Sequence, residues 1–315
     1  MGAMDLIFFG SGAFGLPTLR AVVREHRVLG VISQPDRPAG RGGQLTPTPI
    51  SEFVRTQLPG VPLLTPADVN VPEVAAQIQG MKAHAAVVIA FGQKLTPAVL
   101  PGDGRAINLH ASLLPRWRGA APINAAILAG DRETGNSVIT IAPRMDAGLI
   151  LAQSRLTIDP LVTAGELHDQ LSEQGVDLIL GVLAAMRSGT AAGRPQDDVL
   201  VTKARKLSKK DGYVDFEQGA EECRRRVHGL TPWPGVTVKF RGDDLKLQRV
   251  RALEAGANAE PGVVTDAATG MVACRTGTLQ LLEVQPAGGR RMSWDEFARG
   301  RRVRAGEALQ GGAPT

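Results

Sequence analysis

The segment Ala85-Ala-Val-Val-Ile-Ala90 carries no polar side chain in six residues. A strand with one wet face would alternate, so an unbroken apolar run of this length reads as a strand covered on both faces, the state of strands in parallel sheets. The surroundings agree. Asp5 to Phe9 and Val28 to Ile32 read as strands. Leu16 to Arg24, Pro49 to Thr56 and Val71 to Gly80 read as helices, with a short strand over Val61 to Leu64. Strand–helix alternation at this spacing calls for βαβ units and a mainly parallel sheet. It continues with strands at Ala106 to His110, Ser137 to Ile141 and Leu149 to Gln153, and helices over Ala120 to Ala129 and within Ala164 to Met186.

Past residue 190 the pattern changes. Arg187 to Asp198 is rich in Gly, Ala, Pro and Asp, a linker composition. Beyond Leu207 short β-like runs recur about every ten residues, at 236–240, 245–250, 262–265, 271–273 and 279–284, which predicts a small barrel or sandwich. We therefore expect a catalytic α/β domain over 1–190, a linker over 191–207 and a small β domain over 208–315. Charge divides along the same line. Residues 1–200 hold 16 Lys+Arg and 17 Asp+Glu, whereas residues 201–315 hold 20 and 14. An excess of six positive charges in one part of a chain points to a polyanionic partner or to a solvated basic surface. Two cysteines among 315 residues exclude a disulfide framework and a four-thiolate metal site. No apolar run approaches the ~18 residues of a membrane span, and the N-terminus lacks signal-peptide character. A cytoplasmic protein without a metal is expected.

Two stretches carry chemistry. Gly10-x-Gly12-x-x-Gly15 follows a strand and precedes a helix, as a dinucleotide fingerprint does, and Asp36 falls at the distance of a ribose-binding acid. Asp36 lies beyond Gln34-Pro35 in a loop, however, and Pro17 follows the glycines at once, so a plain strand-to-helix turn is the competing reading. The second stretch is Asn108-Leu-His110-Ala-Ser112-Leu113-Leu114-Pro115-Arg-Trp-Arg-Gly. In an extended strand Asn108, His110 and Ser112 share a face, at the carboxyl end where α/β sheets bind ligands. Asp146, in Arg144-Met-Asp-Ala-Gly148, can supply a carboxylate from a neighbouring strand end. An Asp–His pair fixes the imidazole tautomer and suits proton transfer near neutrality.

Together with Gln34-Pro-Asp-Arg37-Pro-Ala-Gly-Arg41-Gly42, Lys206-Leu-Ser-Lys209, Pro232-Trp-Pro234 and Gln285-Pro-Ala-Gly288, these stretches resemble the methionyl-tRNA formyltransferases, a branch of the folate-dependent formyltransferases. The resemblance runs from about residue 5 to beyond residue 290. It implies a Rossmann-like N-terminal domain and a C-terminal barrel of the OB type. It implies 10-formyltetrahydrofolate as donor and the α-amino group of methionyl initiator tRNA as acceptor; we expect a monomer. By position, Asn108, His110 and Asp146 match the catalytic trio, and Ser112, Leu113, Leu114 and Pro115 match the folate-contacting turn. Arg37, Arg41, Lys206 and Lys209 match tRNA-facing positions. The family often carries two lysines where this chain has Gly43-Gln44. The same trio serves formyltransferases acting on amino sugar nucleotides, which stand as the alternative; a nicotinamide-dependent oxidoreductase rests on the glycine turn alone, and a non-catalytic nucleic-acid-binding protein on charge alone.

Overall fold

The computed structural model describes residues 2–39, 43–102, 105–256 and 258–313. By internal contacts the chain forms two compact units. The first comprises Met1–Arg118, Gly135–Leu156 and His168–Thr202, and the second Gly119–Thr134, Thr157–Leu167 and Lys203–Thr315. Segments 119–134 and 157–167 thus belong with the C-terminal residues.

The first unit is built on a sheet of seven strands. From edge to edge the order is Ile150–Thr157, Glu133–Thr140, Ala106–His110, Ala85–Ile89, Asp5–Gly10, Arg27–Ile32 and Leu63–Leu64. The five strands from Ala106–His110 to Leu63–Leu64 are parallel to one another. Ile7, Phe9, Ala86 and Val88 join one buried cluster with Ala75 and Ile78 of the helix Pro72–Gly80. Leu6, Phe8, Val87 and Ile89 alternate with them and are also buried. Both faces are covered, which is why Ala85 to Ile89 tolerates no polar residue. The strand Glu133–Thr140 is longer than expected and antiparallel to Ala106–His110, with Ile107 opposite Thr140 and His110 opposite Ser137. Among the described residues no helix is long and apolar enough to cross a membrane.

In the second unit the strands Val264–Asp266, Met271–Ala273, Thr278–Pro286, Asp243–Leu253, Val236–Phe240 and Leu309–Gln310 form an antiparallel sheet in that order. Its two edges meet: the Val264 N–H donates to the Glu307 carbonyl (2.7 Å) and the Leu309 N–H to the Gly262 carbonyl (2.8 Å). The sheet therefore curls into a small barrel. Two helices absent from the sequence reading complete its core, Ala220–Leu230 and Trp294–Arg301. Ala220, Cys223, Val227 and Leu230 recur at the three-to-four spacing of a buried helical stripe and join Trp294 and Phe297 among the barrel side chains.

Candidate functional site

The strand Asp5–Gly10 lies between Arg27–Ile32 and Ala85–Ile89, so the connections leaving its two neighbours run in opposite directions across the sheet. Such a switch point opens a crevice outside the carboxyl ends of the strands. The glycine turn at this crevice is closed on itself. The Gly12 N–H points to the Ala90 carbonyl (3.5 Å) and the Gly15 N–H to the Gly12 carbonyl (3.3 Å). A Cβ at Gly10 would stand 2.6 Å from the Phe8 ring. Gly10 serves close packing, and the amide donors of Gly12 and Gly15 are spent. The Asp36 carboxylate is held by both terminal nitrogens of Arg55 (2.9 and 3.2 Å). Neither half of a dinucleotide site is free.

One strand over from the apolar one, Ala106–His110 carries the amide and the imidazole. Asn108, paired with Val88 on one side and Ile139 on the other, is half-buried, and its side chain makes no hydrogen bond among the described residues. His110 is 7% exposed. Its Nε2 lies 2.9 Å from the Trp117 carbonyl. A carbonyl only accepts, so Nε2 carries a hydrogen and Nδ1 is the nitrogen free to gain and lose a proton. Nδ1 lies 3.7 Å from Asp146 Oδ1, whose side chain is 15% exposed.

Asp146 does not reach His110 from a strand end beside it. Because Glu133–Thr140 runs antiparallel, its last residue lies opposite Ile107, and residues 141–149 must arch back to bring the carboxylate to His110. Gly148 sits where a Cβ would meet the Thr140 carbonyl oxygen at 1.7 Å, so the arch closes only over glycine. The Gln196 side-chain amide donates to the carbonyls of Asp146 (2.7 Å) and Gly148 (2.9 Å). Asp198 accepts from Arg118 (3.2 Å) and Arg144 (2.8 Å). Its carboxyl is held below the ordinary range, first by the hydrogen bond from Arg144. Sequence reasoning missed Gln196 and Asp198 because they stand in a stretch of linker composition.

The turn after His110 is internally locked. The Ser112 hydroxyl donates to the Arg116 carbonyl (2.7 Å), and the Ser137 hydroxyl donates to the Ser112 carbonyl (2.6 Å). Leu114 is buried with Ile139 and Ile150. Leu113 and Pro115 remain half-buried and are the turn's accessible apolar surface. Arg37 is exposed on a short antiparallel pair, Arg37–Ala39 with Gln44–Thr46, and donates to Gln34 Oε1 (2.7 Å). Arg41 lies outside the described residues. Lys206 and Lys209 are exposed and have no side-chain partner among the described residues; the same holds for Lys203 and Lys210. The arginines around them are engaged: Arg205 with Asp211, and Arg224 and Arg225 with Glu221. Among the described residues no three His, Cys, Asp or Glu side chains gather as a metal cage.

Comparison with known proteins places these features in a family. A formyl transferase model matches residues 4–183, and a model of the formyl transferase C-terminal domain matches residues 206–302. The methionyl-tRNA formyltransferase of Cereibacter sphaeroides is 41% identical over 298 residues, 94% of this chain and 96% of that protein. That of Methylococcus capsulatus is 38% identical over 297 residues, 93% and 96% of the two chains. Among solved structures, the sugar 3N-formyl transferase WlaRD, crystallised in the presence of dTDP and 5-N-formyl-THF, superposes with a TM-score of 0.67 at 12% identity, over 89% of this chain and 98% of that one. HypX from Aquifex aeolicus in complex with tetrahydrofolic acid gives 0.63 at 16% identity, over 94% of this chain and 47% of that one. At such identities the structural likeness speaks for the fold.

Proposed function

The chain belongs to the formyl transferase family, and from that premise we propose that it is a methionyl-tRNA formyltransferase, which moves a formyl group from 10-formyltetrahydrofolate to the α-amino group of methionyl initiator tRNA in the cytoplasm. The observation that carries the reading is the arrangement at the end of Ala106–His110. An uncommitted amide on Asn108 stands on the same strand as an imidazole whose Nε2 is spent and whose Nδ1 faces Asp146. Formyl transfer to an amine needs these two services: a neutral donor for an oxygen that gains charge, and a group that takes a proton from one nitrogen and returns it to another.

The formylated folate supplies the formyl carbon, and the residues of the chain do the rest. As the bond from the α-amino nitrogen to the formyl carbon forms, the Asn108 amide donates to the formyl oxygen. His110 Nδ1 takes the proton released by the attacking nitrogen, and the Asp146 carboxylate stabilises the imidazolium so formed. When the bond to the departing nitrogen breaks, His110 returns the proton to it. Leu113 and Pro115 offer apolar surface to a planar donor, with Ser112 and Leu114 setting the shape of the turn. Lys206, Lys209 and Arg37 would meet the phosphates of the acceptor.

The test is formylation of methionyl-tRNA by the full chain with the formylated folate. Asn108→Ala is expected to keep its fold and lose about 10²–10³ in kcat. Turnover close to wild type in that variant would end the assignment. An amino sugar nucleotide accepting the formyl group in place of methionyl-tRNA would favour the alternative acceptor.

A further inference from the structure

We propose that Gln196 is a positioning residue for the reaction, and that the segment from Gln196 to Thr202 sets the distance between Asp146 and His110. The inference rests on the function proposed above. The starting point is that the sheet cannot hold Asp146 where it stands. The strand leading to it ends opposite Ile107, three residues short of His110, and Asp146 itself adopts a left-handed backbone conformation, φ +53°. Aspartate tolerates that conformation better than most residues, but the position of its carboxylate still has to be fixed by contacts from outside the arch.

Gln196 supplies such contacts. Both of its amide hydrogens go to the arch, to the carbonyls of Asp146 and Gly148. Its Oε1 accepts from Arg118 Nε (2.9 Å). The Arg118 side chain is 10% exposed and also reaches Asp198, which in turn takes two hydrogen bonds from Arg144 at the start of the arch (2.8 and 3.0 Å). One short stretch therefore grips the arch at Arg144, Asp146 and Gly148.

The same stretch grips the other partner. Thr202 Oγ1 accepts from the Trp117 N–H (2.9 Å), and the Thr202 carbonyl accepts from the Arg118 N–H (3.0 Å). Trp117 in turn holds His110 Nε2 through its carbonyl. The carboxylate and the imidazole are thus both referred to residues 196–202. Only a side-chain amide offers two donors and one acceptor in a single plane, which is what two carbonyls and a guanidinium require. A glutamate of the same length would turn a carboxylate oxygen toward two carbonyls.

The experiment compares wild type with Gln196→Asn, Gln196→Ala and Gln196→Glu in steady-state formylation of methionyl-tRNA, alongside thermal melting. Displacing a proton-transfer group by about 1 Å costs roughly 100-fold, so Gln196→Ala and Gln196→Glu are expected to lose about 10- to 100-fold in kcat. KM for both substrates should change less than threefold. Gln196→Asn, whose shorter arm reaches one carbonyl, should fall between. In an Asp146→Asn background, followed by single turnover with enzyme in excess, Gln196→Ala should add little, because its effect passes through Asp146. Thr202→Val, acting from the His110 side, provides a second route to the same loss should Gln196→Ala melt below the assay temperature. A kcat within twofold of wild type in Gln196→Ala and Thr202→Val would overturn the proposal. So would losses that multiply fully with Asp146→Asn, or that fall entirely on KM. Failure of the wild-type protein to formylate methionyl-tRNA would instead strike the function itself.

Discussion

Acid should loosen the second unit through one buried imidazole. His228, on the helix Ala220–Leu230, is fully buried. Its Nδ1 lies 3.2 Å from the Pro160 carbonyl and so carries the hydrogen, while Nε2 accepts from the Val250 N–H at 3.1 Å. Protonating Nε2 would set two N–H groups against each other inside the core. Burial, above all, pushes the pKa from 6.5 down to about 4; Arg224 and Arg249 push the same way, against the Pro160 carbonyl and Glu166. The folded value is the lower one, so the stabilising contribution is whole above pH 6.5, declines as pH falls, and stops changing below about 4. The full difference is worth about 3 kcal/mol, and about 2 kcal/mol of it is already lost at pH 5. Glu166 and Asp211, held near 2, remain ionised there. With a urea slope of about 2 kcal/mol/M, the unfolding midpoint should fall by about 1 M between pH 7.5 and 5. The signal is the fluorescence of Trp294, buried in the same core, read in a background with Trp117 and Trp233 replaced by Phe. His26 in the first unit shifts in the same direction, so the decisive comparison is His228→Gln, which keeps an acceptor and removes the titration. An equal decline in His228→Gln, or no decline in wild type, would refute the argument.

Replacing both Lys206 and Lys209 by Ala should leave melting unchanged and reduce the log–log salt slope of tRNA binding by roughly two, about one for each phosphate no longer neutralised; filter binding from 50 to 200 mM salt measures it. Leu114→Ala should cost about 2–5 kcal/mol in chemical denaturation, because Leu114 packs on Ile139 and Ile150. In Gly148→Ala the new Cβ would meet backbone at Thr140 rather than a flexible side chain. The arch must move, and kcat for formylation should drop by about 100-fold, more than for Ala147→Gly beside it.

What was readable in the sequence was what local pattern controls. The unbroken apolar run announced a doubly covered strand, and the two-residue spacing of Asn108 and His110 put both on one strand at its carboxyl end. The helix Ala220–Leu230 left a usable signal in its stripe at 220, 223, 227 and 230 and in Glu221-Glu222 at its first turn. The route of the arch had no such signal. Whether Glu133–Thr140 runs parallel or antiparallel depends on where the chain returns to the sheet, and Gln196 meets Asp146 across 50 residues of sequence. A residue whose partners are all distant looks like linker.

The excess of positive charge in residues 201–315 also changes meaning once partners are known. Arg205, Arg224, Arg225, Arg241, Arg249, Arg290, Arg291 and Arg299 each pair with a carboxylate. The planar guanidinium fork matches a carboxylate with two parallel hydrogen bonds, so arginine is drawn into such pairs, whereas the lysine ammonium stays hydrated on a flexible stem. Counted by sequence, charge is spread through the last third of the chain; among the described residues the exposed cations without a carboxylate ion pair include one run at Lys203, Lys206, Lys209 and Lys210 and another at Arg301, Arg302 and Arg304. A phosphate backbone gains most from charges that no neighbour already neutralises. The tRNA reading therefore draws on these unpaired cations before the arginines already held by a carboxylate.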